Sequence, residues 1–436
     1  MIPRYQTPEM ATLWSDEKKF SSWLRVELAV LKARVKLGQL TNKTYLLIAQ
    51  QAKFDPERIA EIEEVTRHDL LAFVQTVQEN LEPELRQYFH QHLTSFDTEE
   101  PATALLFLQA LELVEAELIS LCQVLWQKAN DHKYLIKIQR THGQHAEPIT
   151  LGVELLWWYD SLSRQLEELK RAHKKMQFTK ISGAVGVYGG GLTPQLEEAA
   201  LTILGLKQTP IAAQIILRDR HAFVMNTLAV LAGVLEHLAL NVRILGQTEI
   251  CEIQEPFGKG QKGSSIMPHK KNTILSENLC GLARIVRNNA GAALENIPTW
   301  SGRDITQSSV ERVIFPDSFN LVQFMLRRLK KMIEGLVIHA DRMTTNLELT
   351  QGVIFSPDVK ELLLQANLDP EEAYAIAQEC AFQAIKQHQP YQTVLLEDQR
   401  WPDSISAKQL AAVFDYQKKV IHIDAIFERV RPPKKL

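Results

Sequence analysis

The stretch "HAFVMNTLAVLAGVLEHLALNVRIL", residues 221–245, decides the fold. Val224, Leu228, Leu231, Leu235, Leu238, Val242 and Leu245 step by alternating fours and threes. Side chains at that spacing share one face of a helix, so they draw an apolar seam. No proline interrupts 211–255, and the pattern predicts one helix of about 40 residues, roughly 60 Å long at 1.5 Å per residue. The seam recurs at Leu111, Val114, Leu118, Leu121 and Leu125, and again at Leu155, Tyr159, Leu162, Leu166 and Leu169. Weaker versions lie at 274–294 and 317–338. Globular helices average about 11–12 residues, so several long ones in succession imply an elongated bundle.

Period-2 strand patterns are absent, and the expected class is all-α. Apolar residues also flank the seams, as in "LWWY" (156–159) and "LAVLAGVL" (228–235). A helix so broadly apolar needs neighbours on more than one side. We therefore expect a homo-oligomer whose central bundle draws helices from several subunits, a bundle closed within one chain being the alternative. Three regions are expected: an N-terminal helical domain at 1–98, the long-helix bundle at 99–346 and a C-terminal helical domain at 347–436. Phe20, Leu24, Leu28, Leu31 and Val35 mark an amphipathic helix in the first. "SPDVKELLLQA" and "DPEEAYAIAQECAFQAI" open helices in the last, each with a Ser/Asp-Pro start signal.

The 436 residues are 45% hydrophobic and 23% charged, with a net charge of -3. No basic surface of the nucleic-acid-binding kind is implied. Four scattered cysteines without a C-x-x-C pair argue against disulfides and cysteine-based zinc. The N-terminus lacks an apolar signal-like core, and no apolar run approaches the ~20 residues that span a bilayer. A cytoplasmic protein without a membrane partner is expected.

Four segments carry candidate chemistry. "GKGQKGSSIMPHKKN", 258–272, sets three glycines, two serines and four lysines between two helices, with no acidic residue from Glu255 to Glu277. Glycines keep such a loop mobile, Ser264 and Ser265 offer hydroxyls, Lys270 a charge and Asn272 an amide. The apolar pair Met267-Pro268 suggests that the loop docks onto something. In "QRTHGQHAEP", 139–148, His142 and His145 lie three apart. That spacing suits a metal, but no third ligand accompanies it, and a histidine acid or base fits better. "TRHD" (66–69) and "HQHLTSFD" (90–97) place Arg67 and His68 together and Thr94 beside Ser95, types that suit an anionic ligand or a helix cap. "SGRDITQSSVER", 301–312, adds Arg303, Ser308 and Arg312. Together these describe a site for a strongly anionic small molecule with proton transfer. No P-loop or Rossmann fingerprint is present.

"GSSIMPHKKN" (263–272) resembles the G-S-x-x-M-x-x-K-x-N signature of the fumarase/aspartase superfamily, all-α homotetrameric lyases that release fumarate. "MPHK", "RYQTPEM", "TRHDLLAF", "LTSFD", "RTHGQHAEP", "KISGAVG", "RDRHA" and "RDITQSSVER" are similar to the short bacterial adenylosuccinate lyase family, in order along the chain. The resemblance implies cleavage of adenylosuccinate to AMP and fumarate, and of SAICAR to AICAR and fumarate, in purine biosynthesis. It implies Ser264 as base and His142 as acid, with His68, His90, Glu277 and Lys270 in support. Substrate contacts implied are Arg4, Tyr5, Arg67, His68, Asp69, Thr94, Ser95, Gln214, Ser265, Lys270, Asn272, Arg303, Ser308 and Arg312. It implies no metal or other cofactor, and active sites assembled from several subunits. Thr273 stands where the family usually has proline, and His92 where glycine is common. Argininosuccinate lyase is the alternative enzyme, against which "MPH", "TRHD" and "RDRHA" count. A retired lyase scaffold serving structurally is the alternative of another class.

Overall fold

The computed structural model describes residues 2–433. The helices used below are α1 (Asp16–Lys36), α2 (Asp69–Glu79), α3 (Ser95–Asp131), α4 (Leu151–Met176), α5 (Asp219–Leu245), α6 (Ile274–Glu295), α7 (Thr306–Glu334), α8 (Ser356–Gln365) and α9 (Pro370–Gln387). The described strands form three two-stranded sheets, of which the largest pairs β1 (Ile136–Thr141) with β2 (Gln144–Thr150). The class is all-α, as the seams imply. Every seam residue of α3 and α5 cited above is buried, at 5% exposure or less. Ser15 starts α1 by accepting from Lys18 N at 3.2 Å, and Asp369 starts α9 by accepting from Glu371 N at 2.9 Å, so local capping sets where each helix begins.

Two expectations need correction. The helix through 211–255 is shorter: α5 holds 27 residues. Its upstream segment is drawn elsewhere, because Ile216 N donates to Glu100 Oε1 at 3.2 Å, and Gly246 follows its last residue. Strands do occur, and "QRTHGQHAEP" is a β-hairpin. The period-2 signal is too short there: Ile136-Lys137-Ile138-Gln139 alternates, but the register shifts between Ile138 and Arg140 and ends the pattern after four residues. Lys137 is fully buried, paired with Glu154 at 2.8 Å and Glu252 at 3.2 Å.

The chain divides into two compact units. Unit 1 comprises Met1–Ile119, Arg164–Glu236 and Asn278–Arg328; unit 2 comprises Ser120–Ser163, His237–Glu277 and Leu329–Leu436. Unit 1 has an apolar cluster running from Phe20 to Leu206, with Phe20, Trp23 and Phe73 in mutual ring contact. In unit 2 the C-terminal helices gather Val359, Leu363, Ile376, Tyr391 and Leu395 into a cluster of their own. α5 is long and apolar enough to cross a membrane by length and composition, yet its seam is packed inside the protein.

Candidate active site

In unit 1 the head of α3 organises the polar groups. His68 precedes α2, and its Nδ1 accepts from Leu71 N at 3.4 Å. That acceptor role puts the ring proton on Nε2, which donates to Ser95 Oγ at 3.4 Å. Thr94 immediately precedes α3; its N–H donates to Asp97 Oδ2 at 2.9 Å, a side chain reaching back to the helix start as in a capping box. Thr94 Oγ1 accepts from Gln214 Nε2 at 3.4 Å, and Gln214 Oε1 accepts from Arg303 Nη1 at 2.9 Å. The Arg303 guanidinium lies 4.2 Å from the centre of the Phe96 ring. Thr94 and Ser95 thus serve both readings, helix start and polar site.

A second chain runs through Asp69. Its Oδ2 takes Arg312 Nη2 at 2.6 Å and Lys19 Nζ at 3.4 Å. Burial pushes the Asp69 carboxyl up, but Lys19 and then Arg312 outweigh it and hold it below the usual range. Arg312 Nε donates to Ser308 Oγ at 3.5 Å. These groups border a cavity of about 270 Å³ whose walls include Lys19, Trp23, Glu99, Ser308, Arg312 and Phe315. Burial, reinforced by Asp69, pushes Glu99 up to about 8, against the opposing pull of Arg312, Lys19 and Arg303. Hydrogen bonds thus join His68 to Ser95, Thr94 through Gln214 to Arg303, and Asp69 through Arg312 to Ser308, and the sets are tied by the chain neighbours His68-Asp69 and Thr94-Ser95.

The other unit 1 expectations lie around it. Arg67 closes the preceding helix with φ 55° and is exposed. Arg4 is exposed, while Tyr5 OH accepts from Asn278 Nδ2 at 3.3 Å, with Arg328 Nη1 donating to Asn278 Oδ1 at 2.7 Å. His90 turns away from the network: its Nδ1 meets the buried Glu27 at 2.7 Å, and Thr98 Oγ1 donates to the same carboxylate at 2.6 Å. His92 adopts φ 67°, the conformation that favours glycine, and its ring is so near Gly191 that a Cβ there would come within 2.9 Å.

In unit 2 the β1–β2 turn is His142-Gly143, both at positive φ (54° and 76°), the two-residue turn type that fits the twist of a hairpin. His142 is exposed at the tip. The hairpin is fixed near its base by Lys137 and nearer the turn by Arg140 Nη2, which donates to Glu252 Oε1 at 2.9 Å. His145 lies opposite Arg140; burial and that guanidinium lower its pKa. The 256–273 loop folds on itself. Asn272 Nδ2 donates to Gly263 O at 3.1 Å, and a Cβ on Gly263 would strike Lys270 O at 2.1 Å, so only glycine fits there. Ser264 Oγ accepts from Ile266 N at 3.3 Å and Met267 N at 3.2 Å. Ser265 and Lys270 are exposed, as are Met267 and Pro268. Both ends of the loop meet at Glu255, whose carboxylate accepts from Leu275 N at 3.0 Å, from Ser276 N at 2.9 Å and from Ser276 Oγ. Glu277 takes the Thr273 hydroxyl at 3.3 Å, and no hydrogen bond or ion pair joins it to His142 among the described residues. Thr273 thus supplies a hydroxyl at the start of α6.

Several positioning residues escaped the sequence reading. Asp97 is one. Arg218 is another, bridging Glu100 at 2.5 Å and Glu311 at 2.7 Å. Glu252 and Glu255 complete the set. "LTSFD" and "RDRHA" hold Asp97 and Arg218 but carry no chemistry readable for them without partners.

The model of a lyase family, described as Lyase, matches residues 4–287, and that of the adenylosuccinate lyase C-terminus matches 352–430. Adenylosuccinate lyase of Thermotoga maritima is 40% identical over 429 residues, 98% of this chain and 99% of the relative. That of Bacillus subtilis is 40% identical over 430 residues, 99% of each. Among solved structures, a fumarate lyase from Mesorhizobium sp. BNC1 superimposes with a TM-score of 0.89 at 24% identity, covering 98% of this chain and 99% of that one; the likeness shows the fold. A 3-carboxy-cis,cis-muconate lactonizing enzyme from Pseudomonas putida gives 0.88 at 25% identity, covering 98% and 96%.

Proposed function

The chain belongs to the adenylosuccinate lyases of the fumarase/aspartase superfamily, and from that premise we propose how its residues divide the elimination of fumarate. The enzyme is a fumarate-releasing C–N lyase that cleaves adenylosuccinate to AMP; SAICAR, with the same succinyl-amine bond, is its second substrate. The observation that carries the division of roles lies in unit 1: hydrogen bonds join His68 to Ser95, Thr94 through Gln214 to Arg303, and Asp69 through Arg312 to Ser308, and Ser308 and Arg312 line a cavity.

Arg303, Ser308 and Arg312 bind the nucleotide phosphate, for which guanidinium forks are suited. His68, Asp69, Thr94, Ser95 and Gln214 hold the rest of the substrate, and Arg4, Tyr5 and Arg67 flank it. Ser264 removes the proton from the carbon beside a carboxylate. Serine is a weak base, and the amides of Ile266 and Met267 aimed at its Oγ favour the deprotonated form. The negative charge that gathers on the substrate carboxylate is met by Lys270, Asn272 and Ser265. His142 protonates the departing nitrogen, a poor leaving group otherwise. Closure of the 256–273 loop completes the site and excludes water. Glu277 supports His142, the pairing being made between subunits. His90 acts through Glu27, by fixing the segment that leads to Thr94.

The assembly is a cytoplasmic homotetramer with shared active sites, each chain divided at about 98 and 346. Exposed Trp157, Val230, Leu240, Ile244, Ile285 and Leu294 on the long helices favour it, as such residues bury against neighbours. Light scattering should give four times the 49.7 kDa chain mass. The catalytic test is fumarate release from adenylosuccinate, SAICAR and argininosuccinate in parallel. Release from the first two is expected; release from argininosuccinate alone, or from none by folded protein, overturns the reading.

A further inference from the structure

The motif "KISGAVG" has no part in the roles above, yet its first residue is the most deeply placed cation of unit 1. Lys180 is fully buried and donates to Asp97 Oδ1 at 2.7 Å and to Gly183 O at 3.0 Å. Asp97, also fully buried, accepts on the same oxygen from Ser182 N at 3.0 Å and Gly183 N at 3.1 Å. Its other oxygen accepts from Thr94 N at 2.9 Å. One carboxylate thus satisfies three backbone amides on two segments, 83 residues apart along the chain, and a lysine neutralises it.

A buried charge stays only where it is paired and hydrogen-bonded, and removing one partner strands the other. The geometry fixes what this pair controls. Asp97 is two residues beyond Ser95, on the first turn of α3, and holds the backbone of Thr94 directly. We propose that Lys180 and Asp97 are positioning residues for substrate binding: they lock the backbone of Thr94 and Ser95 so that both hydroxyls meet the substrate preformed. The inference rests on Thr94 and Ser95 being substrate contacts. Neither Lys180 nor Asp97 touches substrate, since both are sealed from solvent.

The pair should be neutralised together, Asp97→Asn with Lys180→Met, so that no lone charge is left buried. An asparagine keeps one acceptor, which can serve 182–183 or Thr94 but not both, because its amide nitrogen only donates. We expect the folded double variant to raise KM for adenylosuccinate about tenfold with kcat changed less than about threefold, a loss of placement rather than chemistry. In a Thr94→Val/Ser95→Ala background the same pair should change KM less than about twofold, because sites acting through one another do not add. An unchanged KM in the neutral pair, with Thr94→Val/Ser95→Ala raising KM, overturns the proposal and leaves those contacts standing. An unchanged KM in Thr94→Val/Ser95→Ala removes the contacts, and the proposal with them. The wild-type enzyme gives a test that needs no variant. Binding of AMP should slow hydrogen exchange at the amides of Thr94, Ser182 and Gly183 by a common factor. Protection of Thr94 alone would mean that the two segments are not locked together.

Discussion

Glu255 closes the base of the 256–273 loop, and its removal should be among the most damaging single changes in unit 2. The residue is 5% exposed and Ser276 is fully buried. Its carboxylate serves Leu275 N, Ser276 N and Ser276 Oγ, doing for α6 what a capping side chain does, from 20 residues upstream. In Glu255→Ala the two first-turn amides lose their cap, worth about 1–2 kcal/mol. The buried hydroxyl loses its partner at about 1–3 kcal/mol, although Met332 Sδ at 3.6 Å remains a weak acceptor. Loss of negative charge at the helix start adds about 0.3–1 kcal/mol. The total is about 2–6 kcal/mol. Glu255→Gln keeps one acceptor and should lose about half. Urea midpoints followed by circular dichroism measure both. Because both loop ends meet at Glu255, kcat should fall in the same order, alanine below glutamine. A loss under about 1 kcal/mol for alanine, or equal losses for both variants, would refute the capping argument.

Ser264→Ala should cut kcat at least ~10³-fold while AMP binding stays within a few-fold, as removal of a proton-transfer group does; kcat near wild type excludes Ser264 as the base. The His90–Glu27 pair predicts a pH dependence of stability. Burial works against the imidazolium, but Glu27 and then Asp97 outweigh it and raise the folded pKa above 6.5. Its contribution is therefore full below the unfolded value and lost as pH rises through the raised one. Melting curves of wild type should show that loss, and those of His90→Gln should not. Glu99 acts with the same sign: its folded pKa, about 8 against 4.5 for the free group, makes the native state bind more protons. Stability should fall as pH rises from 4.5 to 8, and Glu99→Gln should gain stability at about pH 8 while matching wild type at about pH 4. A Glu99→Gln variant that melts with the wild-type pH slope would remove the buried-carboxyl argument.

The helices were legible because each depends on near neighbours. The seams at Leu111–Leu125 and Leu155–Leu169 lie in α3 and α4 as the spacing requires. Two local readings failed for identifiable reasons. The hairpin's apolar alternation stops at Ile138, where the register shifts, and the turn uses His-Gly in place of the Asn-Gly that announces a type I′ turn. The start of α5 is displaced because Ile216 N is taken by Glu100, 116 residues away, which no window reveals. Of the site, the residue types and motifs could be named, Ser264, His142 and Lys270 foremost, but not their partners.

By itself, the sequence determined what is local: apolar period, caps, the glycine that Lys270 O requires at Gly263, and the motifs that place the chain in its family. The tertiary structure decided which charges meet. Asp69 with Arg312, Thr94 with Gln214 and Asp97 with Lys180 lie 243, 120 and 83 residues apart. Each pair is set by the packing of helices, whose geometry depends on many side chains at once, and a buried ion is tolerated only where that packing delivers its counter-ion within hydrogen-bond reach.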